Sequence, residues 1–491
     1  MTDPLENPVP LEELAAQAGH TRVVVVGGGI AGLVAALECA KVGIHVVLLE
    51  QRHALGGAVR GAEVGGLTLD VGAESYATRG GHVRALLEEL GLGDDIVTPS
   101  REGAWVVGLP GSPGAAPLPK GGVLGIPGNP FAADVRRVIG WRGAWRAYVD
   151  RLRPPLTIGH EHSLGRLVRT RMGEAVLDRL VAPVTTGVYS AHPDDIDVDV
   201  AAPGLNGALT RAGSLSGAVA LLTGERASAP GGAIEGIDGG MSRLVEALRA
   251  RLEDLGAEVR TGAPVESVER TAHGWVVVAA GGEPEVADAV FVATPEAAAR
   301  RLLANAVPSL AAAAPRPGPE VHVVTLVLDA PALDARPRGT GVLTVPGARR
   351  AKALTHSSAK WPWLAGRVPA GRHVVRVSFG SQGEEPATTG LSDEDAAALA
   401  LGEASALLGV TLAPSQLVAA RLERYAQAQP ASVLGQPKAA AAARAAIHAV
   451  DGLAAAGAWL SGTGLAQVIP DAIGEAERVR RSALWDRSAG A

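Results

Sequence analysis

The segment Thr21–Asp70 constrains this chain more than any other. Four consecutive valines, Val23–Val26, run directly into Gly27-Gly28-Gly29-Ile30-Ala31-Gly32, and a second apolar run, His45–Leu49, ends on the acid Glu50. Both runs are short, apolar and rich in valine, as buried parallel strands are. Ala31–Val42 between them reads as a helix, so the stretch predicts a βαβ unit. Gly27, Gly29 and Gly32 have the G-x-G-x-x-G spacing, in which glycine permits a tight turn, lets backbone approach a pyrophosphate, and packs helix against strand. The helix start at Ile30, Ala31 and Gly32 offers N–H donors and partial positive charge to phosphates. Glu50, about twenty residues past the glycines, is placed to accept hydrogen bonds from ribose hydroxyls, and an acid there disfavours a 2′-phosphate. The unit predicts the ADP half of a dinucleotide as a ligand.

At 491 residues the chain has room for two or three cores. Hydrophobic residues make up 47% and charged residues 20%, the balance of a folded chain and not of a disordered one. A formal charge of -6 without Lys/Arg blocks gives no support for nucleic-acid binding. The single cysteine, Cys39, excludes an internal disulfide or a C-x-x-C redox pair, and its place in the first helix predicts a buried, inert thiol. No metal is expected. Met1–His20 is acidic, contains prolines and lacks a basic start followed by an apolar stretch, so it reads as a poorly ordered lead-in with a short helix at Leu11–Ala18. The most apolar segment, Ala439–Trp459, is interrupted by Arg444, His448 and Asp451, which argues against a membrane span. A cytoplasmic location is expected, and superficial membrane contact is compatible with it.

The fingerprint reads only ADP, so the redox half must be sought elsewhere. Gln51-Arg52 is followed by Gly56-Gly57 and Arg60, and then by Asp70-Val71-Gly72-Ala73-Glu74-Ser75. This order resembles the FAD-binding region of the monoamine-oxidase-like flavoproteins. The resemblance implies one non-covalent FAD held by Gly27, Gly29, Ile30, Ala31, Gly32, Glu50, Gln51, Arg52, Gly56, Gly57 and Gly72 to Ser75. No second G-x-G-x-x-G occurs, which favours a flavin reduced by its substrate over one reduced by a nicotinamide. Ile237–Leu244 opens an amphipathic helix with Leu244, Leu248 and Leu252 at helical spacing, and strands are expected at 258–260, 265–269, 275–279 and 289–293. The resemblance places a small sheet here, with Val265 on the adenine side. Near the end a strand from Gly452 leads into Gly462-Thr463-Gly464-Leu465, with a helix expected at Ala472–Leu484. The resemblance sets that turn against the flavin ring, where backbone N–H groups stabilise negative charge.

The blocks Ser163–Gly173, Val181–Asp195 ("VAPVTTGVYSAHPDD"), Thr355–Pro362 ("THSSAKWP") and Val374–Gly380 look like the porphyrinogen oxidases, and the likeness covers nearly all of residues 21–485. It implies oxygen-dependent, six-electron oxidation of a porphyrinogen with hydrogen peroxide release, flavin N5 carrying the hydride step and no side chain acting as catalyst. Coproporphyrinogen III stands ahead of protoporphyrinogen IX because the sequence is Gram-positive in type. His162, His192 and His356 read as surface or loop histidines. Propionates call for cations, with Arg79 first and Lys360, Arg376 and Arg211 after it. A transient contact with another haem-pathway enzyme fits such a role. The sequence departs from the family at Gln436, where a histidine is usual, and at Ala458, where broader amine oxidases carry an aspartate. The alternatives are a flavin amine oxidase, opposed by an aromatic content of only 3%, and a non-catalytic FAD protein that holds porphyrin.

The expected fold is α/β, mixed α+β in places. A discontinuous Rossmann-like FAD domain takes residues 21–95, 231–302 and 445–485. A substrate domain on a mixed sheet takes 96–125, 196–230 and 303–444, and a helical insertion covers 126–195. Its Trp141, Trp145, Tyr148, Leu152 and Leu167 read as a helical core or as a surface for membrane or porphyrin. Leu109–Pro130 and Pro315–Pro319 read as linkers.

Overall fold

The valine run forms the strand Arg22–Val26 at the middle of a five-stranded sheet. The spatial order is Glu258–Thr261, His45–Glu50, Arg22–Val26, Ala289–Val292, Leu453–Ala455, and every pairing is parallel. A computed structural model describes residues 11–111, 114–153, 162–227, 234–312, 318–426 and 434–486 of the chain. Helices Ile30–Ala40, Ser242–Asp254 and Leu465–Arg481 close one face of the sheet around Leu33, Leu37, Leu48, Phe291 and Ile469. The antiparallel strands Val265–Thr271, Gly274–Ala279 and Glu285–Ala287 pack on the other through Trp275 and Val277. Burial on both faces explains why residues 23–26 and 46–49 and the strands Ala289–Val292 and Leu453–Ala455 are continuously apolar, whereas the edge strand Glu258–Thr261 is not.

A second, mixed sheet has seven strands, ordered Leu417–Tyr425, Val321–Asp329, Arg372–Phe379, Ala353–His356, Gly341–Thr344, Trp105–Val107, Ala115–Pro117. All neighbours are antiparallel except Gly341–Thr344 with Trp105–Val107. Helix Asp393–Leu408 covers one face through Leu401, Ala404 and Leu408 against Val375 and Val377. Alternation puts Val374, Arg376 and Ser378 on the opposite face, where Val374 meets Val64, Leu69 and Val71 of the nucleotide-binding part. The two sheets are thereby joined across the segment 60–76.

Helices Ala133–Tyr148, Leu164–Met172, Leu205–Ala212 and Leu215–Ala227 form a third, helical core with the α- and π-helical turns 174–189. Helices within 198–227 share this core rather than the seven-stranded sheet. Leu167 is buried in it, whereas Trp141 and Trp145 stand 60% and 59% exposed, so they are surface and not core. They cluster with Phe131 and Tyr148, and the Arg136 guanidinium lies 4.1 Å from the Trp141 ring.

The terminal helix corrects one expectation. It starts at Leu465, directly from the glycine turn, and continues through Pro470 instead of starting at Ala472. Leu11–His20 forms a helix with Ala18 buried, while residues 1–10 of the expected lead-in lie outside the described residues. So do most of the stretch before Gln436 and the centre of the expected linker at Pro315–Pro319.

Candidate functional site

The glycine cluster divides by physical cause. Gly27 has φ +108°, and a Cβ on it would lie 2.6 Å from the Ala293 carbonyl oxygen. On Gly32 a Cβ would lie 1.9 Å from the Gly27 carbonyl oxygen. Both are glycine because backbone and packing demand it. Gly29 is different: its φ of -73° suits any residue, and a Cβ there would meet nothing closer than the Gly57 Cα at 4.0 Å. Neither conformation nor packing accounts for glycine at 29, so the bare backbone there is left for a ligand to approach. Helix Ile30–Ala40 starts at this point with no side chain capping its N–H groups.

Glu50 is held on both oxygens: the Gly28 N–H donates to Oε2 at 2.7 Å and the Arg52 N–H to Oε1 at 2.8 Å. Only 9% exposed, it keeps its carboxylate oriented at the lip of the turn. The Gly56 N–H donates to the Gly28 carbonyl at 2.8 Å, and Gly57, at φ +62°, lies beside Gly29. Gln51 and Arg52 are exposed. The Ala263 and Gly262 N–H groups donate to the Glu50 and Arg52 carbonyls, which brings buried Val265 next to the end of the second strand.

From here the chain crosses to the seven-stranded sheet. A Cβ on Gly72 would lie 2.0 Å from the Ala58 carbonyl oxygen, so the 56–60 and 70–75 segments are in backbone contact. Asp70 caps helix Ser242–Asp254 by accepting from the Met241 N–H at 2.8 Å, and burial pushes its carboxyl up to about 6. Glu74 accepts from Lys360 Nζ at 2.7 Å, Arg376 Nη1 at 2.8 Å and Ser357 Oγ at 3.0 Å. Burial alone would raise its carboxyl, but the two cations hold it far below the ordinary carboxylate range. Arg376 also donates to the Val71 carbonyl at 3.1 Å and to the Gly72 carbonyl at 2.5 Å.

The C-terminal turn closes the site. Gly462 and Gly464 each have φ +105° and deliver the chain into helix Leu465–Arg481. At this turn the Thr463 hydroxyl and the Trp459 indole N–H are buried without a partner among the described residues. The Gln467 amide, oriented so that its nitrogen donates to the Thr463 carbonyl at 3.1 Å, accepts from Arg79. Gln436, buried at the start of helix Gln436–His448, donates to the Trp459 carbonyl at 3.4 Å.

The expected cofactor residues therefore fall at two helix N-termini and the crossing between them. The expected substrate cations fare differently. Arg79 is exposed beside the C-terminal turn. Lys360 and Arg376 are already matched by Glu74, because the fold brings a carboxylate from nearly 300 residues away, 286 and 302 positions respectively. Arg211 ends helix Leu205–Ala212 on the exposed side of the helical core. His162 and His192 are surface groups, but His356 is fully buried in a strand, with Nε2 3.1 Å from His373 Nδ1. Sequence reasoning placed it at the surface or in a loop because nothing local announces its burial within the sheet.

A family model for flavin containing amine oxidoreductase matches residues 30–480. A coproporphyrinogen III oxidase of Mycobacterium leprae is 32% identical over 90% of this chain and 94% of its own length. One from Propionibacterium freudenreichii is 28% identical over 98% and 96%. A crystal structure from Exiguobacterium sp. 255-15, which carries protoporphyrinogen oxidase as a provisional name, superposes with TM-score 0.79 and 27% identity over 94% of this chain and 98% of that one. A putrescine oxidase structure shares the fold at TM-score 0.62 and 17% identity, over 94% of this chain and 99% of its own.

Proposed function

The chain belongs to the flavin-containing amine oxidoreductases, and from that membership we propose that it oxidises coproporphyrinogen III to coproporphyrin III, using oxygen and releasing hydrogen peroxide. What carries the substrate assignment is near-full-length similarity to relatives bearing that activity's name. FAD is the cofactor this reading requires. Gly29 supports it, being a glycine with no structural reason except the close approach of a pyrophosphate.

In this reading the N–H groups of Ile30, Ala31 and Gly32 take the pyrophosphate, and Glu50 takes the ribose hydroxyls. Val265 and its neighbours border the adenine. When bound there, FAD would supply a hydride acceptor for the substrate and a carrier of its electrons to oxygen. The N–H groups of 463–465, at a helix N-terminus, would stabilise negative charge on the flavin, and the Thr463 and Trp459 donors, buried without a partner among the described residues, lie at the same turn. A cysteinyl link to the flavin is not available, because Cys39 is buried inside the first helix and burial pushes its thiol up to about 12. The cofactor is therefore non-covalent on that side. The Lys360–Glu74–Arg376 cluster locks the 71–74 backbone against the sheet, which keeps one wall of the substrate space fixed. Arg79 is the cation for a propionate nearest the C-terminal turn.

Protoporphyrinogen IX is the second reading, favoured by the 27%-identical Exiguobacterium structure. No helix among the described residues is long and apolar enough to cross a membrane. The test adds each porphyrinogen to the purified yellow protein and follows porphyrin fluorescence with peroxide release. Fluorescence above the uncatalysed rate with coproporphyrinogen III in excess of protoporphyrinogen IX is expected. No acceleration with either refutes the reading.

A further inference from the structure

Away from the nucleotide site, a cavity of about 90 Å³ lies between the π-helical segment Thr185–Tyr189 and the end of the seven-stranded sheet. Lys352, Thr344, Arg350 and Gln382 contribute to its wall. Lys352 is largely buried, and among the described residues Nζ has one polar partner, the Ser190 hydroxyl, at 2.5 Å. Among the described residues no carboxylate pairs with it, in contrast to Lys360 and Arg376. Thr344 is 2% exposed, and its hydroxyl has no partner among the described residues; the Gln382 side-chain oxygen is likewise buried and unpartnered. Arg350 is exposed and unpaired among the described residues. The other cation of the wall, Arg349, is taken by Glu403 at 3.1 Å, and Glu384 accepts from the Ser381 hydroxyl at 2.7 Å.

Buried donors without acceptors are uncommon in native proteins, and an unpaired buried ammonium is costly. Here the Thr344 hydroxyl is such a donor, and it shares one small cavity with the Lys352 ammonium, whose partner is the neutral Ser190 hydroxyl, and with Arg350 at the edge. Their common complement is an oxyanion with two oxygens. Burial pulls the Lys352 ammonium down to about 7, a cost that a carboxylate beside it would remove. Ser190, held at φ +55° and fixed by the Gln382 N–H donating to its carbonyl at 2.7 Å, keeps Nζ in place.

The cavity's position suggests whose carboxylate it is. The Lys352 N–H donates to the Ser378 carbonyl, two residues along the strand from Arg376, which grips the Gly72 carbonyl at the flavin side. Two residues of strand are about 7 Å. A Cβ on Gly187 would lie 2.6 Å from Leu343 and 3.7 Å from Ala353, so the π-helical segment sits on the same face of the sheet as Arg376. A substrate lying on that face of the sheet, beside Gly187 and Leu343, would bring a carboxyethyl arm to this edge.

We propose that Lys352, Thr344 and Arg350 form the subsite for one carboxylate arm of the substrate, a proposal that rests on the porphyrinogen reading for the arm's identity. The experiment compares holoenzyme, Lys352→Gln, Lys352→Arg and Thr344→Val. Binding of coproporphyrin III without turnover is read by fluorescence, and KM for coproporphyrinogen III by initial rates. Lys352→Gln should weaken binding and raise KM about 10- to 100-fold, as loss of a charge-assisted hydrogen bond does. Lys352→Arg should restore most of the loss. The tetramethyl ester, which has no charged arm, should bind wild type and Lys352→Gln alike. Equal binding of coproporphyrin III by wild type and flavin-loaded Lys352→Gln overturns the subsite, and so does free propionate at micromolar concentration displacing the porphyrin. Where Lys352→Gln loses its flavin, Thr344→Val, with no change of charge, carries the test: several-fold weaker binding supports the subsite and unchanged binding overturns it. If wild type oxidises no porphyrinogen yet binds coproporphyrin III through Lys352, the oxidase reading falls and the subsite stands. Oxidation without any dependence on Lys352 has the opposite meaning.

Discussion

Replacing Glu74 with Gln tests whether the Lys360–Glu74–Arg376 cluster holds the two sheets together. The three side chains are 10%, 15% and 10% exposed in the order Glu74, Lys360, Arg376, so solvent screening is weak. Glutamine keeps the shape and removes the charge, leaving two cations facing a neutral amide. Breaking a buried pair in this way costs about 3–5 kcal/mol, because the partner's desolvation is no longer offset. Arg376 retains the Val71 and Gly72 carbonyls, so the larger loss falls on Lys360. With a guanidinium m-value of about 5 kcal/mol/M, the unfolding midpoint should fall by about 0.6–1 M. Lys360→Met on top of Glu74→Gln removes the stranded ammonium and should recover about half of it. The pH dependence has a fixed sign. The Glu74 carboxyl is depressed by its two cations, so its contribution is complete above the unfolded value near 4.3 and declines only as pH falls toward the lowered folded value. The gap between wild type and Glu74→Gln should stay flat from about pH 8 to 5 and shrink below about 4. A loss under about 1 kcal/mol at pH 7 would refute the reasoning, since only a solvated pair is worth so little.

Gly29→Ala should leave unfolding of the apoprotein unchanged while flavin content drops more than about tenfold, whereas Gly32→Ala should prevent folding, since its Cβ would sit 1.9 Å from the Gly27 carbonyl oxygen. A Gly29→Ala protein that stays fully yellow sinks the pyrophosphate assignment. His356, held down to about 3 first by burial and then by His373 and Arg336, binds no proton in the folded state at pH 5. Its contribution is therefore present above the unfolded value near 6.5 and is lost as pH falls, by about 2 kcal/mol at pH 5; His356→Asn should flatten that part of the stability profile. The exposed Trp141 and Trp145 beside Arg136 should carry the chain onto anionic vesicles, and the double serine variant should stay in the supernatant. Wild type that never sediments with vesicles removes the membrane from the account.

The strand, glycine turn and helix at the start of the chain were legible in the sequence because most of what shapes them is local. Gly32 is dictated by contact with nearby Gly27 and Glu50 by its place at a strand end, whereas the close approach at Gly27 is to Ala293, far along the chain, and shows only in the fold. The four-valine strand needed only its own pattern to be recognised. The terminal helix shows where local reasoning slips: a start at Ala472 was expected, yet tertiary packing of Ala466 and Ile469 carries the helix through Pro470 from Leu465. The substrate half was not legible, because a cation's availability is a property of pairs. Lys360 and Arg376 look like anion ligands until the fold sets Glu74 between them. Lys352 looks like one more surface lysine in a run with Arg349 and Arg350, until Ser190 and the π-helical segment bury it. The fold neutralises two of the four cations that the motifs select, Lys360 and Arg376, and leaves Lys352, which they pass over, without a carboxylate among the described residues. Recognition of a multiply charged substrate should therefore be tested first at cations that lack a carboxylate among the described residues, of which Lys352 is one.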